Sequence, residues 1–140
     1  MQRAILPYVG KWAPPGGYPE KGESMREAAV REIQEEVGLQ IPQSSLIPFF
    51  LSSISPMNQY YISFRAHIDH PVKPLCGPEA SAAAWFTREE FPAKDYWLSN
   101  LASTMFEVYE CIETDSYNLY VADVTETGFD GQIFCMPPRP

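Results

Sequence analysis

Three glutamates at the spacing of one helical turn are where this chain could do chemistry. Glu32, Glu35 and Glu36 stand at i, i+3 and i+4 of the stretch Arg31-Glu32-Ile33-Gln34-Glu35-Glu36-Val37-Gly38-Leu39, so a helix carries all three on one stripe. Like charges about 6 Å apart repel by ~0.7 kcal/mol per pair in bulk water and by roughly 3 kcal/mol at an effective dielectric of ~20. Nothing within the stripe offers a neutralising side chain. On an open surface water absorbs that cost. In a cleft a cation must do so, and clustered carboxylate oxygens suit Mg²⁺ or Mn²⁺.

The elements that must position these groups are legible around them. Pro15-Gly16-Gly17-Tyr18-Pro19-Glu20-Lys21-Gly22-Glu23 reads as a loop, because Gly and Pro break any helical or strand period. Ser24-Met25-Arg26-Glu27 has capping-box spacing and predicts a helix start near Met25, with Gly38 as its stop. Ala29, Val30, Ile33 and Val37 fall within an arc of about 100°, and the three carboxylates occupy a separate arc. Ala28 lies among the acids and leaves space beside them. The pattern predicts one face for the core and another for chemistry.

Gly17, five residues, Glu23, seven residues, then Arg31-Glu32-Ile33-x-Glu35-Glu36-x-Gly38-Leu39 resembles the box of the Nudix hydrolases at every specified position. The resemblance implies an α/β/α sandwich with a mixed sheet and hydrolysis of a nucleoside diphosphate linked to another moiety. It makes Glu32, Glu35 and Glu36 the metal ligands, with the carbonyl of Gly16 or Gly17 completing the coordination. It gives Glu23 and Arg31 the structural task of tying helix to loop, beside the box glycines Gly17 and Gly38. One glutamate takes the proton from the attacking water, and Glu35 is the first choice within the box.

Further along, Cys76-Gly77-Pro78-Glu79 ahead of Ala83-Ala84-Trp85-Phe86, read as a short strand, resembles a segment of Nudix enzymes acting on ADP-ribose-like or NADH-like substrates. Glu79 is then a late carboxylate, acting as base or extra ligand, or else an ordinary loop acid. A second acid common three positions later in such enzymes is replaced by Ala82. Arg3 matches an arginine that contacts a phosphate in the family. The segment from Gln2 to Ala13 resembles the end of a second strand, with less chain ahead of it than Nudix proteins usually carry. Either Met1 is an internal start, or the exposed sheet edge is covered by the C-terminal hairpin or by a partner subunit in a homodimer.

Residues 46–53 read as an apolar strand and 58–69 as an alternating one. Tyr60, Ile62, Phe64, Ala66 and Ile68 share the face expected in the core. Arg65, on the other face, is either a phosphate contact or part of a solvent-facing edge. His67 and His70 diverge on a strand and make a poor metal pair. Leu98, Leu101, Met105, Val108 and Ile112 predict a core-facing helix over 94–113. Residues 118–124 and 132–136 read as strands of an extra hairpin outside the resemblance. Tyr8, Trp12, Tyr18, Tyr61 and Trp85 could each stack on a base or simply pack.

The whole is expected to be one Nudix domain over residues 1–140, α/β in class and short at its beginning. A net charge of −8 argues against nucleic acid held through its phosphates. The three widely spaced cysteines, Cys76, Cys111 and Cys135, read as reduced cytosolic thiols, and no signal peptide or long apolar run points to a membrane. The favoured substrates are ADP-ribose, then another nucleoside diphosphate sugar, then a nucleoside triphosphate. The competing reading is a Nudix-fold module that senses a nucleotide without cleaving it.

Overall fold

The computed structural model describes residues 1–87, 89–93, 118–125 and 128–135. Its elements run β1 (Gln2–Arg3), α1 (Met25–Val37), β2 (Ile47–Ile54), β3 (Gln59–Arg65), β4 (Ala80–Ala82), β5 (Asn118–Thr125) and β6 (Gly128–Cys135). The chain divides into two compact units, Met1–Ser45 with His67–Thr104, and Leu46–Ala66 with Met105–Pro140. The helix read over 94–113, with Cys111, and the proline-rich end at 136–140 lie outside the described residues.

In the first unit α1 begins and ends as its sequence dictates. The Ser24 hydroxyl accepts the Glu27 N–H at 3.3 Å, and the Glu27 carboxylate accepts the Ser24 N–H at 2.8 Å. Gly38 turns left-handed at φ 70°, where a Cβ is strained, and its N–H closes on the Gln34 carbonyl at 3.0 Å. Replacing Ser24 with Ala should cost about 1 kcal/mol in urea unfolding. The Ser24 hydroxyl and N–H hold the Glu27 carboxyl below its usual range. The cap's contribution is therefore full above the unfolded carboxylate pKa and fades as pH falls through the lower folded one.

Around α1 the buried side chains Met1, Val37 and Leu39 are joined by Ile33, Ile41, Ile68, Ala80 and Ala83. The core face differs from the predicted one. Ala28, Glu36 and Val37 are the buried residues of the helix. At about 100° per residue they bracket an arc that runs through Glu32, Glu36, Ala29 and Ile33. Ala28 is thus core rather than spacer, and Val30 is half-buried at the edge of that arc.

β1 pairs antiparallel with β4, Gln2 opposite Ala82 and Arg3 opposite Ala80. The strand expected at 83–86 therefore lies three residues earlier. The aromatic rings there serve loop packing instead: Phe86 meets Trp12 edge-on at 4.8 Å, and Trp85 Nε1 donates to the Val72 carbonyl at 2.7 Å.

The second unit is a four-stranded mixed sheet in the order β3-β2-β5-β6. β3 and β6 run antiparallel to their neighbours, whereas β5 lies parallel to β2, Phe50 opposite Tyr120 and Ser52 opposite Ala122. The C-terminal hairpin thus belongs to the sheet and occupies the side of β2 away from β3. Phe50 is fully buried and stacks on Tyr120 at 5.2 Å, while Ser53 hydrogen-bonds Asp123 across the β2–β5 pair.

The alternation predicted for β3 fails at its start. Tyr60 is 78 % exposed where β3, an edge of the described sheet, leaves the tight turn at 55–57. The strand also ends at Arg65, so His67 lies beyond it, exposed and paired with Asp69 at 3.2 Å. Among the described residues no helix is long and apolar enough to cross a membrane.

Candidate functional site

Glu36 occupies the middle of the buried arc of α1 and retains only 7 % of its surface. Its Oε2 accepts the Gly16 N–H at 2.8 Å, which draws the loop onto the helix. Burial raises the Glu36 carboxyl above its usual range, the Gly16 N–H opposes the rise, the charges of Glu32 and Glu79 add to it, and the N-terminal charge lowers it slightly. Glu32 meets the same loop one residue on. A Cβ at Gly17 would stand 2.3 Å from Glu32 Oε1, so any larger residue there must displace the Glu32 carboxylate. Two of the predicted ligands therefore converge on Gly16–Gly17. The contact seen at Gly16 is made by its N–H, and the carbonyl expected at Gly16 or Gly17 as a metal ligand is a separate group.

The stripe also has a neutralising partner, contrary to expectation. Arg31 Nη1 lies 2.8 Å from Glu32 Oε1 and 3.3 Å from Glu35 Oε2. Its Nε and Nη2 grip both oxygens of Glu23 at 3.0 Å each, and Nη2 also donates to the Tyr18 carbonyl at 3.1 Å. Those bonds hold the Glu23 carboxyl below its usual range and the guanidinium above its own. The sequence reading paired Arg31 with Glu23 alone. A guanidinium has five donors in a planar fork, which was the available signal that it could serve the acids as well.

Glu35 faces outward, its side chain 60 % exposed. With Glu27, Val30, Arg31, Gln34 and Gln43 it lines an open groove of about 590 Å³. Glu79 follows the 75–77 segment that lies against the end of α1, and its charge is felt at Glu36. Arg3 sits one register position from Glu79, opposite Ala80, and its Nε donates to the Pro7 carbonyl at 3.1 Å. Arg65 belongs to the second unit, where its Nε is buried with no hydrogen-bond partner among the described residues. Of the stacking candidates, Trp12 and Trp85 are engaged in packing, while Tyr8 and Tyr18 present exposed rings.

Do these side chains suit a hard divalent ion? Among the described residues no three acidic, histidine or cysteine side chains converge closely enough to share one. On this helix Glu32 and Glu35 are instead paired with Arg31. The donor set nevertheless fits. A buried carboxylate beside two like charges, whose raised pKa shows that the Gly16 N–H and the N-terminal charge do not fully offset them, is an environment that a cation with oxygen ligands would relieve.

The profile of the NUDIX domain matches residues 1–108. The chain belongs to the Nudix family. Over 93 residues it is 36 % identical to an ADP-ribose pyrophosphatase of Methanocaldococcus jannaschii, covering 66 % of this chain and 55 % of that protein. Over 66 residues it is 39 % identical to an m7GpppN-mRNA hydrolase of Xenopus laevis, covering 46 % of this chain and 22 % of the relative. Over 78 residues it is 36 % identical to an NAD-capped RNA hydrolase of Caenorhabditis elegans, covering 53 % and 20 %. The Nudix chain thus spans about half the length of the first of these and about a fifth of the other two. A solved NUDIX hydrolase of Nitrosomonas europaea superposes with a TM-score of 0.66 at 26 % identity, covering 78 % of this chain and 61 % of its own. The fold is the α/β fold of that family.

Proposed function

We propose that this Nudix chain hydrolyses the diphosphate linkage of a nucleoside diphosphate derivative, with ADP-ribose-like compounds preferred. The observation that carries the reading is the buried Glu36 carboxylate, set against Gly16 with Glu32 and Glu79 at hand. Glu32, Glu35 and Glu36, with the backbone at Gly16, would hold Mg²⁺ or Mn²⁺. Bound there, the ion supplies charge neutralisation for the diphosphate and a more acidic water. The Glu35 side chain would join by leaving Arg31. Of the two candidate proton acceptors we favour Glu79, which lies beside Glu36, over Glu35, which faces the groove. Arg3, next in register to Glu79, would meet a phosphate through its Nη groups, and Arg65 is a second candidate. The two units are read as one domain, because the family match at 1–108 runs through both.

Water adds to one phosphorus, the bridging P–O bond breaks, and two phosphate monoesters leave. The three relatives named for ADP-ribose, capped mRNA and NAD-capped RNA all point to linked nucleotides. A panel of ADP-ribose, a nucleotide sugar, a nucleoside triphosphate and a short capped RNA, assayed with Mg²⁺ and Mn²⁺, tests the proposal. Two monophosphates from ADP-ribose are the expected products. Release of pyrophosphate from the triphosphate alone would move the activity to that class. Tight binding with no cleavage of any member would make the chain a nucleotide sensor.

A further inference from the structure

The segment from Leu75 to Glu79 lies tightly on the last turn of α1. The Leu75 N–H donates to the Val37 carbonyl and the Gly77 N–H to the Glu36 carbonyl, both at 2.9 Å. The strap thereby satisfies two of the acceptors that a helix end leaves open. Gly77 rests on the helix backbone itself. A Cβ there would stand 2.2 Å from the Glu35 carbonyl oxygen and 2.9 Å from the Glu36 Cα. Backbone atoms cannot swing aside as a side-chain tip can, so any larger residue must lift the strap. Glu79 is also pinned from its other side: its carbonyl accepts the Ala4 N–H at 2.8 Å, and the Ala80 N–H returns to the Gly77 carbonyl at 3.1 Å.

We propose that Gly77 is a positioning residue for the late carboxylate: without a Cβ it lets the strap lie on α1 and so sets Glu79 beside Glu36. Its consequence for turnover rests on the reading of Glu79 as proton acceptor. Its geometric content does not. The charge of Glu79 already bears on Glu36, as this placement requires.

The test is a double-mutant cycle of Gly77→Ala and Glu79→Gln, read in two ways. In metal-free protein Glu79→Gln relieves a like-charge contact and should raise the melting temperature by about 3 °C. In the Gly77→Ala background the same change should raise it by nothing measurable, because Glu79 has moved away. In hydrolysis Glu79→Gln should lose about 100-fold in kcat. The double variant should lose no more than Glu79→Gln alone. An equal rise in melting temperature in both backgrounds overturns the proposal, as does a kcat loss that multiplies in the double variant. Should the unaltered protein cleave nothing, the catalytic reading fails while the melting cycle still decides the placement. If Gly77→Ala does not fold, Leu75→Pro takes its place under the same criteria, since it loosens the strap by removing the Leu75 N–H bond to Val37 and adds no atom at Gly77.

Discussion

Glu36→Gln should lower metal-dependent turnover by about 1,000-fold while making the metal-free protein more stable. Both effects have one origin. The carboxylate is buried and flanked by the charges of Glu32 and Glu79, against which stand the Gly16 N–H and, more weakly, the charge of the N-terminal ammonium. Glutamine keeps an acceptor for that N–H and discards the repelled charge, which should contribute about 1 kcal/mol, or ~3 °C in melting temperature. The pH dependence follows from the direction of the shift. A carboxyl whose folded pKa lies above its unfolded one binds more protons when folded, so stability declines as pH rises between the two values. The advantage of the glutamine variant should therefore be full at neutral pH and shrink as pH falls through that window. Mg²⁺ should raise the melting temperature of the parent protein and leave the variant unmoved. Thermal melts at several pH values, with and without the ion, check each part. A variant that retains turnover, or that melts lower than its parent at neutral pH, removes Glu36 from the centre of the site.

The burial of Glu36 was not legible in the chain, and the reason is instructive. Hydrophobic periodicity counts glutamate as solvent-facing wherever it falls, so the predicted core arc was drawn through Ala29, Val30, Ile33 and Val37. The true arc runs from Ala28 to Val37 and contains both Glu32 and Glu36. Packing alone does not favour a buried carboxylate beside like charges, and the proposed metal site would account for the departure. The ends of the helix, by contrast, were legible to the residue. Ser24, Glu27 and Gly38 act through hydrogen bonds to their own neighbours, so no distant partner can override them.

Long-range pairing explains what else was misread. The strand placed at 83–86 sits at Ala80–Ala82 because its partner is Gln2–Arg3, nearly 80 residues away, and nothing local sets that register. The strap at Leu75–Gly77 carries no periodic signal at all. Its close seat on the helix depends on Gly77, where a Cβ would meet the Glu35 carbonyl oxygen at 2.2 Å. The sheet of the second unit was better anticipated. The strand read at 46–53 is Ile47–Ile54, displaced by one residue, and both C-terminal strands form, the second starting earlier than read.

Arg31→Ala should have the second large effect, a loss of about 100-fold in metal affinity or activity. The guanidinium joins three separate parts of the site. It holds Glu23 through two bonds and the Tyr18 carbonyl through a third, fixing the loop, and it reaches Glu32 and Glu35 on the helix. With alanine there, Glu23 loses its counter-charge and the 17–23 loop its tether. Glu32 is then free to recoil from Glu36, and Gly17 no longer faces a fixed carboxylate. Lysine should not rescue the loss, because one ammonium cannot span Glu23 on one side and Glu32 with Glu35 on the other. Glu23→Gln should cost less than either, since an amide oxygen still accepts from the guanidinium while the bonds to Glu32 and Glu35 remain. Manganese titrations followed by proton relaxation, combined with limited proteolysis of the loop, separate the two roles. If Arg31→Lys binds the ion and resists cleavage as well as the parent, the planar fork is dispensable and Arg31 contributes charge alone.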